Sequence, residues 1–184
     1  THLNLRTNGI GANGAAALAK ALGTDQCRLT SLNLRDNSIM AVGAAALAVA
    51  LKANPVLKDL DLSENLIKEA GAATLAEALG SNASLTALNL RYNGLRSGAL
   101  QFAKMLMINT SLRSLNLAQN DIDGKGVRAV AKALSENINL TSLDLDFEPP
   151  SPNDFKHCAD STAKIRAQEL TASLAEALKT IEGT

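Results

Sequence analysis

The sequence predicts an α/β solenoid of about six repeats of 28 residues, with a parallel β-sheet on the inside of a curved arc and α-helices outside. Three observations lead there. The phrases "LTSLNLRDN" (29–37), "LKDLDLSEN" (57–65), "LTALNLRYN" (85–93) and "LRSLNLAQN" (112–120) share one template, L-x-x-L-x-L-x-x-N. A clipped copy, "THLNLRTN", opens the chain, and a sixth begins as "LTSLDLDFE" (140–148). Matching leucines step by 29, 28, 28, 27 and 28 residues, and a constant period of that size signals a repeat architecture. The second half of each unit repeats as well: "GAAALAKAL", "GAAALAVAL", "GAATLAEAL" and "GVRAVAKAL" begin at 14, 43, 71 and 126, and "GALQFAKML" at 98 is looser. The repeats lie near 1–28, 29–56, 57–84, 85–111, 112–139 and 140–184, as one domain, because each repeat contacts only its neighbours.

Within a unit, the alternating leucines predict a short strand. Ala, Leu and Lys favour a helix after it. Large apolar residues four apart, such as Leu47 and Leu51 or Phe102 and Leu106, share one helical face. Asn54, Asn82, Asn109 and Asn137 follow the helices, where an Asn in the left-handed conformation is expected to end them. A second column, Asn8, Asn37, Asn65, Asn93 and Asn120, is expected to satisfy buried backbone groups of its own turn and its neighbour's. Parallel strands sit about 4.8 Å apart and packed helices about 8–10 Å, so the stack must bend with its strands inside.

The composition agrees. Apolar residues make up 46% of the 184, with only three Phe and one Tyr, so the core is Leu, Ala, Ile and Val. Formal net charge is zero, which favours neither nucleic acid nor an anionic membrane. No apolar run approaches the roughly 18 residues of a membrane span. Two cysteines, Cys27 and Cys158, do not make a disulfide framework and suit a reducing compartment. Thr1 stands in mid-pattern, so sequence is expected upstream; either the clipped first repeat self-associates weakly or its parent carries more repeats before Thr1.

The unit length and the G-A-x-x-L-A-x-A-L helix resemble the ribonuclease-inhibitor-like class of leucine-rich repeats. "LGSNASLTALNLRYN" and "LKANPVLKDLDLSEN" are similar to repeats of NOD-like receptor proteins. The resemblance covers 1–147 and returns at 170–179. It implies a cytoplasmic protein of innate-immunity type that binds proteins, as a ligand-sensing or scaffold part. Ran GTPase-activating proteins share the repeat class, so a GTPase regulator is the alternative; the acidic C-terminal tail typical of that family is missing. A structural spacer in a longer array is a third reading.

Enzyme signatures are absent. There are two histidines, no G-x-x-x-x-G-K-[ST], and no Cys pair at zinc spacing. "DGKGV" (123–127) lacks the leading Gly and the Ser/Thr and falls in a turn. Asp154, His157, Cys158 and Asp160 cluster in a segment with few apolar anchors, a poor base for a metal site. No cofactor is expected. The triplets "NAS" (82–84), "NTS" (109–111) and "NLT" (139–141) read as incidental beside the helix-ending role of Asn82 and Asn109.

The positions between the leucines face the concave wall. They bring together Arg35, Asp59, Asp61, Glu64, Asn89, Arg91, Tyr92 and Asn116 as the candidate protein-binding set. Arg and Tyr are common interface anchors. In the competing reading the wall is merely solvated, with Arg35 and Arg91 paired to Asp59, Asp61 or Glu64. In the sixth repeat "EPPSP" opens an insertion of about 16 residues, near 148–163, between Leu145 and Leu170. It is expected to cover the end of the solenoid with Phe147 and Phe155, the other reading being a binding protrusion. The chain is expected to turn helical from about Ser161.

Overall fold

The computed structural model describes residues 1–145 and the backbone of 165–166. Six strands, β1 (His2–Asn4), β2 (Ser31–Asn33), β3 (Asp59–Asp61), β4 (Ala87–Asn89), β5 (Ser114–Asn116) and β6 (Ser142–Asp144), lie in chain order in one parallel sheet. The register pairs Leu3, Leu32, Leu60, Leu88, Leu115 and Leu143 in one row, as the repeat template requires. Five helices alternate with them: α1 (Gly11–Leu22), α2 (Met40–Ala53), α3 (Lys68–Ser81), α4 (Ala99–Leu106) and α5 (Gly124–Glu136). A 3₁₀ turn, Arg96–Gly98, leads into α4. Each helix packs on the next. The core lies between sheet and helices: Leu34, Leu62 and Leu90 below the strands meet Leu47, Leu75 and Phe102 from the helices, all fully buried.

The asparagines at 37, 65, 93 and 120 bond backbone groups of their own turn and of the preceding repeat. Asn65 Oδ1 accepts from Asn37 N (3.0 Å) and Ile39 N (3.3 Å) of the preceding repeat. Its Nδ2 donates to Leu34 O, Leu62 O and Ser63 O. Asn37, Asn93 and Asn120 repeat the pattern.

Three expectations are corrected. Asn54, Asn82 and Asn137 are extended rather than left-handed, with φ −87°, −76° and −82°. The side chain decides this: Asn54 Nδ2 donates to Leu22 O at the end of the preceding helix (2.7 Å), while its Oδ1 accepts from Val56 N and Leu57 N. The column is a second ladder that ties each helix end to the next repeat. "DGKGV" is the start of α5 and not a turn, with Asp123 Oδ1 accepting from Gly126 N at 2.8 Å as its N-cap. Ile165–Arg166 pairs antiparallel with β6 as a seventh strand, β7, where a helix was expected. The insertion near 148–163, Phe147, Phe155 and the last helix lie outside the described residues. Asn82 and Asn109 are buried with bonded amides, so their triplets are structural.

Candidate functional site

Strand residues one apart from the leucine row face away from the helices and line a trough of about 360 Å³. Its floor carries Asp59, Asp61 and Asp144 among Ser, Asn and Ala, with no Lys or Arg in the lining. The second column of the floor has a local structural duty. Asn33, Asn89 and Asn116 accept through Oδ1 from the backbone N–H of Arg35, Arg91 and Ala118. Asp61 Oδ1 accepts from Ser63 N and Ser63 Oγ. Asn116 Nδ2 donates to Asp144 Oδ2 (2.9 Å), and Asp144 Oδ1 is buried without a partner. Asn33 Nδ2, Asn89 Nδ2 and Asp61 Oδ2 have no hydrogen bond among the described residues and face the trough.

The edge of the trough holds Arg35 and Arg91, two strands apart. Arg35 Nη2 forms an ion pair with Glu64 Oε1 at 2.7 Å. Arg91 has no ion pair among the described residues; its guanidinium lies 5.1 Å from the centre of the Tyr92 ring, within cation–π range. Asp59 is exposed. One part of the solvated-wall reading therefore applies, to Arg35, and Arg91 with Tyr92 stands apart from it.

Glu64 and Tyr92 are not strand residues of the wall. Thr7, Asp36, Glu64, Tyr92 and Gln119 all have φ between 55° and 59°, so the strand direction ends before them and they form the rim. Alternate residues beyond them are left-handed too: Gly9, Ser38, Leu66, Gly94 and Asp121, then Gly11, Met40, Lys68 and Arg96. Between them buried Ile39, Ile67 and Leu95 turn inward. The chain thus spirals into each helix with every second side chain outward. Met40, Leu66 and Tyr92 are about half exposed there. A cleft of about 310 Å³ opens between Leu66, Lys68, Glu69, Tyr92, Gly94, Arg96 and Asp121. Sequence reasoning does not single out Met40, Leu66, Lys68 or Arg96. Their signal is Gly9, Gly11 and Gly94 at the same template positions, which mark a backbone that glycine prefers.

Among the described residues no group of three or more His, Cys, Asp or Glu is placed to hold a metal. None of their helices is long and apolar enough to cross a membrane. On the convex side Lys52 Nζ donates to Glu77 Oε1 at 2.7 Å, and this hydrogen bond, then the charge of Lys52, holds the Glu77 carboxyl below its ordinary range.

No curated protein matches the chain. Among solved structures, "Leiomodin-1 Actin-Binding Site 2 (ABS2)" is similar at 22% identity and a TM-score of 0.66, over 92% of this chain and 90% of that one. The tropomodulin C-terminal domain of Caenorhabditis elegans is similar at 16% identity and a TM-score of 0.66, over 91% of this chain and 95% of that one. These likenesses concern the fold. The sequence itself matches the Leucine Rich repeat family over 1–19, 27–48, 53–76, 81–101 and 109–131, segments that carry β1 to β5 and the first part of each of α1 to α5. With the strand register, the asparagine ladder and the period all in agreement, this chain belongs to the leucine-rich repeat family.

Proposed function

We propose that the chain is a protein-interaction module that receives its partner on the concave wall and on the Arg91–Tyr92 edge. One observation carries this reading. The wall presents a continuous polar floor across adjacent repeats, and beside it Arg91 and half-exposed Tyr92 stand with no counter-ion among the described residues to engage them. A trough so open and polar suits a protein surface better than a small molecule, which needs an enclosed apolar cavity. The floor's carboxylates and the edge's arginine call for a partner with both charge signs, not a polyanion.

The resemblance to NOD-like receptor repeats supports placing the module in a cytoplasmic receptor or scaffold, as its ligand-sensing part, without catalysis of its own. The similar structure titled an actin-binding site of leiomodin-1 makes actin a partner to test directly.

Two experiments test the proposal. Cosedimentation with actin filaments and titration of labelled monomeric actin ask whether actin is bound. Independently, partners recovered by the wild-type chain are measured in an affinity series. Arg91→Ala or Tyr92→Ala is expected to weaken binding by about 1–3 kcal/mol, as truncated anchors do. Lys104→Ala and Lys132→Ala, exposed on α4 and α5, are expected to change little. If the two lysine changes abolish binding and the Arg91 and Tyr92 changes leave it intact, the partner sits on the helical side and the concave reading is wrong.

A further inference from the structure

The strand-to-helix rim carries an apolar stripe that the fold does not require. In the first repeat the second and third left-handed positions are Gly9 and Gly11, and in the fourth the second is Gly94; a Cβ added at any of them meets nothing within 4 Å. Glycine enters this conformation without steric cost, and other residues do not. At the corresponding positions the second and third repeats place Met40 (φ 59°) and Leu66 (φ 57°). These side chains are 51% and 54% exposed, so little burial offsets the strained backbone. Strain kept in this way points to a use for the side chain.

The stripe has a direction. Met40 holds the third left-handed position of its repeat, Leu66 the second of the next, and Tyr92 the first of the one after. Neighbouring strands are about 4.8 Å apart, so the three cross the rim obliquely as one ridge. Leu66 and Tyr92 share their cleft with Lys68 and Arg96. Arg96 is engaged, at 3.9 Å, by Glu69. Asp121, the other acid of the cleft, belongs to the fifth repeat. Lys68, beside Leu66, has no ion pair among the described residues.

The first and third left-handed positions of the rim have no free N–H for an added strand. Met40 N, Lys68 N and Arg96 N donate to Asn65 O, Asn93 O and Asn120 O, and Glu64 N and Tyr92 N donate to Arg91 O and Ala118 O. Strand addition needs free backbone groups, whereas an amphipathic helix is read by side chains alone. We infer that this rim is a docking surface for an amphipathic helix of a protein partner, its apolar ridge along Met40, Leu66 and Tyr92 and an acidic edge facing Lys68. The inference rests on the reading of the chain as a protein-binding module, but not on use of the concave floor.

The test uses the intact chain and two fluorescein-labelled model helices. One has leucines at i, i+4 and i+7 with glutamates along one edge; its twin has lysines in place of the glutamates. The expected result by anisotropy is saturable binding of the glutamate helix, about tenfold or more tighter than its twin. Lys68→Glu is expected to reverse that preference. Leu66→Gly is expected to weaken binding at least about fivefold, as loss of an anchor does, and at the same time to raise the urea midpoint. Raised stability excludes misfolding as the cause of lost binding. Equal affinity for the two helices, no saturable binding of either, unchanged affinity in Leu66→Gly, or a lowered midpoint in that variant would each overturn the inference. Asp59→Ala separates the two surfaces: if it alone weakens the peptide, the peptide lies on the floor, the rim is excluded, and the module reading stands.

Discussion

Asn65 is fully buried and its amide is used at five points, two accepted and three donated. Removing it leaves the N–H groups of Asn37 and Ile39 without partners, at about 1–3 kcal/mol for each, and takes one of two donors from Leu34 O, Leu62 O and Ser63 O. Asn65→Ala is therefore expected to cost at least about 2 kcal/mol in urea unfolding; a loss under about 1 kcal/mol would mean that water replaces the amide. The ladder column is legible in the sequence because its duty recurs in every repeat. The second asparagine column shows the limit. Its place at the helix ends can be read from the sequence, but the local preference of Asn for the left-handed region loses to a bond that reaches the preceding repeat. For Asn54 that partner is Leu22 O, 32 residues away. The candidate site divides in the same way. Arg35, Arg91 and the floor residues follow from strand alternation. Tyr92 and Glu64 stand on a rim because of a backbone conformation that their own side chains do not favour.

The strand-to-helix turn is the element that the sequence conceals. Its left-handed residues are mostly not glycine, so no turn signature marks them, and among α1 to α5 only α5 has a side-chain N-cap. The helices themselves are legible, and so is the role of their small residues. At Gly71 in α3 an added Cβ would overlap Ile67 Cγ2 and lie 3.1 Å from Ala44 Cβ of α2. Alanine improves a helix interior over glycine by about 1 kcal/mol, but overpacking costs typically about 1–3 kcal/mol. Here the clash includes the neighbouring helix, which is itself locked by its own neighbour, so the clash wins. Gly71→Ala should destabilise by about 1 kcal/mol or more in urea unfolding. Gly80, in the same helix, faces only the tip of the exposed Ile108 side chain, with Cδ1 at 3.0 Å. Ile108 can turn aside, so Gly80→Ala should leave stability equal or raise it by up to about 1 kcal/mol. Like signs for the two substitutions would contradict this account of helix spacing.

Across the molecule, stability in a stacked array is a sum of each repeat's own terms and those of its neighbour contacts. The 28-residue register of the sheet is legible throughout, because the leucine steps in the sequence are the strand pairings in the structure. The antiparallel β7 is not, because the segment that leads to it lies outside the template. Neighbour contacts are uneven along the stack. All three residues of β1 are exposed, and Leu3 is 38% exposed where Leu60 and Leu88 are 2%. Asn8 Nδ2 makes one bond, to Arg6 O of its own turn, where Asn65 makes three. Within residues 1–145, opening the first repeat therefore breaks one described interface, while opening the third or fourth breaks two. Native-state amide exchange should follow that order, since local opening free energies range from near zero up to the global value. Leu62 N and Leu90 N, each bonded at 2.9 Å to the next repeat, should exchange at least about a hundredfold more slowly than Leu5 N, whose bond to Asn33 O is no longer at 2.8 Å. The three hydrogen bonds are alike in length, so any difference in protection reports the packing around them and not the bonds. Equal protection at all three would mean that the array opens only as a whole, and that the exposed first strand is tied to the centre as firmly as the centre is to itself.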